Sequence, residues 1–333
     1  MPPYRLTNCD VWQSRIPRDR LRRMCCDGRV NNPIAATDPA HLRTVAEQLA
    51  AEAAEFVRRR RAEVFGPGSG DGLPGGAAPA ASEVRAVRAV RSKSTPTDPV
   101  TVVDTETERL LRERLAVLRP GDAILGEEEG GLVGADRGEL TWALDPIDGT
   151  VNFLYGIPAY AVSVGVRRDG ISVAGAVADV AAGTVYSAAL GHGAHAHRDG
   201  VVTELRCSTA TDLSMALVGT GFAYDRDRRR QQGEVMARLL TDVRDLRRIG
   251  SCALDLCMVA AGRLDAYYED GVHLWDWAAA ALIAAEAGAV VRPPASADGP
   301  GLMVAAAPGI SAAFDDALRR CGAIGSDAAT DPR

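Results

Sequence analysis

The chain has 333 residues, 47% hydrophobic and 25% charged, the balance of a soluble globular protein with room for one large domain or two modest ones. Its net charge of −6 argues against nucleic acid as the main partner, because phosphate backbones need concentrated Lys and Arg; a small anionic substrate is still compatible. No stretch has the length of a membrane-spanning helix, and seven scattered cysteines without a zinc-type pairing fit a reducing, cytoplasmic setting.

Residues 1–37 are rich in Pro, Asn and Arg without apolar period, so a disordered N-terminal extension outside the fold is expected there. Asp38-Pro39 then opens a helix: Asp38 suits the N-cap, and Leu42, Val45, Ala46, Leu49, Ala53, Phe56 and Val57 recur at helical spacing. The Gly/Pro-rich stretch 66–82 reads as a flexible insertion, and 84–91 as strand-like. Residues 101–118 read as a turn feeding a second amphipathic helix, with Asp104 a candidate cap. Short β-like runs follow at 124–125, 140–144, 160–167, 173–180, 185–189, 194–197 and 215–220. Helices are expected at 233–240 and 253–261, a short strand at 266–268, and an almost wholly apolar helix at 277–287 closed by Gly288. Strands at 290–291 and 302–305 and a terminal helix at 311–320 complete a layered α/β or α+β pattern, with a change of character near residue 200.

Three acidic clusters carry candidate chemistry. In Asp145-Pro146-Ile147-Asp148-Gly149-Thr150 a short apolar strand delivers two carboxylates to a stiff turn. Converging carboxylates repel unless a cation lies between them, and hard divalent ions are the natural partner. The Gly149-Thr150 step offers backbone N–H groups to phosphate if a helix starts there. An isolated D-x-x-D-G is more often an acidic surface turn. Gly126-Glu127-Glu128-Glu129-Gly130 alone reads as a solvated loop, and Asp276 in Trp275-Asp276-Trp277 as a helix N-cap. Lys93 alone reads as a surface lysine.

Jointly these elements resemble the inositol monophosphatase family of lithium-sensitive, metal-dependent phosphatases. The D-P-[IL]-D-G-T-x-N-[FY] signature stands complete at 145–153, and W-D-x-A-[AG]-[AG] at 275–280. Gly126-Glu127-Glu128 matches the family's G-E-E, and Lys93 through Asp104 its K-S-x-x-D-x-V-T-x-x-D. Gly221-Phe222-Ala223-Tyr224, Arg248-Ile249-Gly250-Ser251 and Ala266-Tyr267-Tyr268-Glu269 match three further elements in family order. Ala279 stands where the family usually has Gly.

The resemblance implies a five-layer α-β-α-β-α sandwich over a catalytic domain at 38–325, usually as a homodimer. It implies two to three Mg²⁺ ions: Glu127, Asp145 and the Ile147 carbonyl at the first, Asp145, Asp148 and Asp276 at the second, and Glu127 at a weaker third. Thr150 with Asp104 would orient or deprotonate the attacking water. Lys93, Asp148, Gly149, Thr150, Ser251, Glu269 and Asp276 would face phosphate and substrate, and Glu128 occupies the family's second-glutamate position. The implied substrate is a small phosphorylated polyol or amino-alcohol. Inositol monophosphate comes first, ahead of histidinol phosphate, fructose-1,6-bisphosphate and 3′-phosphoadenosine 5′-phosphate. A regulatory RNA- or polymerase-binding protein on the same fold is the reading from another class, with Arg58–Arg61 and Arg226–Arg230 as its contacts.

Overall fold

The computed structural model describes residues 37–66, 90–93, 99–131, 138–296 and 299–324. The expectations for the N-terminal extension and for the Gly/Pro-rich insertion fall on residues 1–36 and 67–82, outside the described residues.

Helix α1 (Pro39–Phe65) starts as its sequence suggests: Asp38 accepts from the Ala40 N–H, and Pro39 takes the first turn, where no donor is missed. The strands β1 (Val90–Ser92) and β2 (Pro99–Thr101) pair antiparallel and lead into α2 (Val102–Leu118). Eight strands then form one sheet: β3 (Ala123–Gly126), β4 (Gly130–Gly131), β5 (Leu140–Asp148), β6 (Ala161–Arg168), β7 (Ile171–Asp179), β8 (Thr184–Ala189), β9 (Ala194–Arg198) and β10 (Val201–Glu204). All neighbours pair antiparallel except β3 with β5. The short helix α3 (Thr150–Tyr155) follows β5 directly.

The second half builds a five-stranded sheet in the order β12-β11-β13-β15-β14. Its strands are β11 (Leu217–Thr220), β12 (Asp245–Arg247), β13 (Ala266–Val272), β14 (Val290–Arg292) and β15 (Gly301–Ala306). Its helices are α4 (Arg226–Leu239), α5 (Cys252–Ala260), α6 (Leu274–Glu286) and α7 (Ser311–Cys321).

Three apolar cores lie between the layers. Leu42, Leu49 and Val57 of α1 with Leu111 and Leu115 of α2 cover one face of the large sheet around Trp142 and Val164. The Ala-rich α6 and α5 fill the space between the sheets. Phe314 and Leu318 of α7 with Leu239 of α4 cover the outer face of the small sheet. The result is the five-layer α-β-α-β-α sandwich, and its change of character falls between β10 and β11. Small residues let α6 approach the large sheet: a Cβ on Gly175 would stand 2.8 Å from the Ala279 methyl. The methyl that departs from the family's glycine is therefore accommodated by a glycine on the facing strand.

Some boundaries differ from expectation. Helix α4 begins seven residues before the expected Gly233, because Asp225 accepts from the Arg228 N–H and caps a polar first turn with no apolar period to announce it. The edge strands β10 and β12, hydrogen-bonded through backbone but largely exposed, carried no alternation to reveal them.

Candidate active site

Strand β5 carries the centre of the site, and it is not the simple turn that the sequence suggested. In a regular strand Asp145 and Asp148, three apart, would point to opposite faces. The ladder with β6 pairs Asp145 with Ser163 but Asp148 with Ala161, three residues against two. This bulge turns both carboxylates into one cavity of about 500 Å³, shared with Lys93, Glu127, Glu269 and Asp276. Gly149 then caps α3 at φ 95°, where any Cβ would come within 2.9 Å of the Ala159 carbonyl. Gly149, the N-cap of α3, and Thr150, its first residue, line the same cavity, where N–H groups at a helix start have no partner within the helix.

Glu127 follows β3, and Asp276 lies in the first turn of α6. Two expectations about helix caps are corrected. Asp104 is not the N-cap of α2; Thr101 is, and Asp104 is its capping-box partner, accepting from the Thr101 N–H at 2.9 Å and from its hydroxyl. Asp276 likewise sits three residues into its helix, accepting from the His273 N–H at 2.6 Å. Both acids are thereby fixed in orientation by the backbone they close.

Thr150 Oγ1 lies 3.2 Å from Asp104 Oδ1 and 3.0 Å from the Ile147 carbonyl, so the threonine–aspartate pair is assembled. Lys93 is no free surface lysine: its ammonium contacts Glu127 at 2.8 Å and Glu128 at 2.5 Å. Ser251 is buried, donating to Asp148 Oδ2 at 2.6 Å and accepting from Leu254 N as the cap of α5. Its hydroxyl is committed to orienting Asp148. Glu269 reaches the cavity from β13.

The electrostatics record crowding. Burial, then Glu127, Asp148 and Asp276, push Asp145 well above the usual carboxylate range. Burial, then Asp148 and Glu127, do the same to Asp276. Burial raises Asp148 to about 7 despite its bonds from Ser251 and Ala253. Burial raises Asp104 to about 6 and, with Glu127, Glu128 to about 7. Burial opposes the charge on Lys93, but Glu127 and Glu128 outweigh it and hold the ammonium charged.

Among the described residues, no three acids, histidines or cysteines stand in ready ligand geometry, since each carboxylate leans on a local donor. The donor set nonetheless fits a hard divalent cation: Glu127, Asp145, Asp148 and Asp276 are all oxygen donors on one cavity, and mutual repulsion makes their ionised forms costly without a counter-charge.

Sequence reasoning missed Glu108. It is fully buried on α2 and accepts from the Glu128 N–H at 2.7 Å and the Glu129 N–H at 3.1 Å, with Arg112 paired to it at 2.8 Å. It braces the turn that presents Glu127. The signal was its place on the stripe of Thr107, Leu111 and Leu115, where an acid should not be exposed. A Cβ on Gly126 would strike its carboxyl at 2.1 Å, which explains the glycine before Glu127.

Residues 38–318 match the inositol monophosphatase family. The chain belongs to that family. It is a phosphatase, and the family's enzymes depend on metal. It is 63% identical over 289 residues to the inositol-1-monophosphatase of Mycobacterium leprae, covering 85% of this chain and 95% of the relative. The solved structure of Mycobacterium tuberculosis SuhB superposes with a TM-score of 0.70 at 56% identity, over 86% of this chain and 98% of that one. A Pasteurella multocida protein named Nus factor SuhB is 40% identical over 195 residues, 58% of this chain and 71% of its own length. No helix among the described residues is long and apolar enough to cross a membrane.

Proposed function

We propose that this phosphatase hydrolyses an inositol monophosphate to inositol and inorganic phosphate, with Mg²⁺ as its metal and water as the nucleophile. The observation that carries the reading is the convergence of Glu127, Asp145, Asp148 and Asp276 on one cavity beside the Thr150–Asp104 pair. Relatives named inositol-1-monophosphatase support the substrate. Two or three Mg²⁺ ions would polarise the phosphate and make water ionisable near neutral pH. Glu127, Asp145, Asp148, Asp276 and the Ile147 carbonyl would hold them, and the N–H groups of Gly149 and Thr150 would receive phosphate oxygens. Thr150 Oγ1 would orient the water and pass its proton to Asp104, whose raised affinity suits it to hold one. Glu269, on the far wall, would accept from substrate hydroxyls. The working form would be a cytoplasmic homodimer with one catalytic domain at 38–325.

Phosphate release from inositol 1-phosphate, histidinol phosphate, fructose-1,6-bisphosphate and 3′-phosphoadenosine 5′-phosphate, each with Mg²⁺, with EDTA and with added Li⁺, tests this reading. Preference for inositol 1-phosphate, abolished by EDTA, is expected. Preference for histidinol phosphate would move the substrate and keep the mechanism.

A regulatory role by contact with RNA is the second reading, prompted by the Pasteurella relative's name. The arginine runs speak against it. Arg60 is tied to Glu106 and Glu63, Arg61 to the Phe153 carbonyl, Arg228 to Asp270 and Arg230 to Glu234. Salt-steep RNA binding with no phosphate release would reverse the order of the two readings.

A further inference from the structure

Glu269 does not hold its place unaided. It lies two residues after Tyr267 on β13, so both side chains leave the same face of the strand toward α5, while Tyr268 between them enters the outer core against Phe314. Tyr267 is fully buried, and its hydroxyl donates to Glu269 Oε2 at 2.6 Å. That bond uses the only proton of the phenol, and the buried Cys252 of α5 lies in the same apolar core as Tyr267. Beneath the carboxyl lies Gly221, where a Cβ would stand 2.0 Å from Glu269 Cδ. The carboxyl is therefore gripped from behind by a phenol and floored by a glycine.

We propose that Tyr267 is the positioning residue that sets substrate selectivity. By occupying Glu269 Oε2 it leaves Oε1 as the acceptor aimed into the cavity, which selects phosphate monoesters whose alcohol carries a further hydroxyl near the ester carbon. This rests on the reading of Glu269 as the contact to substrate hydroxyls. A buried carboxylate that lost the phenol would turn to find another donor, and the acceptor would be misplaced while the metal-binding acids stayed as they are.

The test compares inositol 1-phosphate with p-nitrophenyl phosphate, which has no hydroxyl, on the Mg²⁺-loaded enzyme. Tyr267→Phe is expected to raise KM for inositol 1-phosphate by about tenfold, the weight of one hydrogen bond, with kcat little changed and p-nitrophenyl phosphate unaffected. Glu269→Ala is expected to show the same split more strongly, and the double variant to be no worse than Glu269→Ala alone. Equal losses on both substrates, or additive losses in the double variant, would reduce Tyr267 to packing and overturn the inference while leaving Glu269 in its role. A Glu269→Ala variant that fails to discriminate between the substrates would sink the reading of Glu269, and the inference with it. Should Tyr267→Phe not fold, Gly221→Ala evicts the same carboxyl from the other side; an unchanged KM for inositol 1-phosphate there would sink the reading of Glu269, and the inference with it.

Discussion

Asp255 and Asp145 show two fates of a buried carboxyl in this protein. Asp255 is fully buried on α5, and among the described residues neither carboxylate oxygen has a hydrogen-bond partner. Burial, then Glu269 and Asp148, push it well above the ordinary range. Its unfolded form ionises near 3.8 and the folded form only at a higher pH, so stability falls as pH rises above that value. Asp255→Leu is expected to stabilise the protein by about 1–2 kcal/mol near pH 8 and by less below pH 4, read by urea unfolding. Asp145 is equally buried, but it stands among Asp148, Asp276 and Glu127. On the proposed reading, its cost is the cost of a cation site. Asp145→Asn is expected to fold, to melt higher than the parent in EDTA, and to lose more than about a hundredfold in phosphate release, beyond what loss of a supporting partner does. A variant with near-normal turnover would remove Asp145 from the mechanism.

At the scale of elements, the site depends on braces as much as on ligands. Glu108 ties α2 to the Glu127 turn through two backbone N–H groups and Arg112. Glu108→Ala would leave the Glu128 and Glu129 N–H groups without their acceptor and take one partner from the half-buried Arg112, which keeps Gly130 and Glu129; the expected loss is about 2–4 kcal/mol by chemical denaturation, with weakened Mg²⁺ binding in what remains folded. Glu108→Gln keeps the size and is expected to fall between. The sequence made the cavity's acids legible because apolar strands run straight into Asp145 and Glu127, and because the signature residues occur together. It hid the bulge in β5, since a bulge depends on the register of β6. It misassigned Asp104 and Asp276 as caps, because an acid at the third helical position looks the same as one at the N-cap until the backbone angles are known. It left Glu108 unseen because a glutamate on an amphipathic helix is exposed by default. The role of Tyr267 was hidden for a different reason. In Ala266-Tyr267-Tyr268 the run is apolar on both faces, and only the two flanking cores decide which tyrosine meets Glu269.

The whole molecule places its acids where three layers meet. The end of β5 in the large sheet, the first turn of α6 in the middle layer and β13 in the small sheet all open on the same cavity. Rigid, close-packed layers hold like charges together that would otherwise move apart, and a cation bound among them would relieve that strain. The unfolded carboxyls ionise near 4, while Asp104 at about 6 and Asp148 and Glu128 at about 7 ionise later in the fold. Stability without metal should therefore fall as pH rises from about 4 to about 7. A cation that binds only the folded, ionised site should restore it, and more so at the higher pH. The direct measurement is the melting temperature of the full chain at about pH 5 and about pH 8, in EDTA and in saturating Mg²⁺, for the parent and for Asp145→Asn. A lower Tm at the higher pH in EDTA, its recovery with Mg²⁺, and a blunted response in the variant are expected. A Tm at the higher pH that Mg²⁺ does not move in the parent would contradict the assignment of these carboxylates as the metal site.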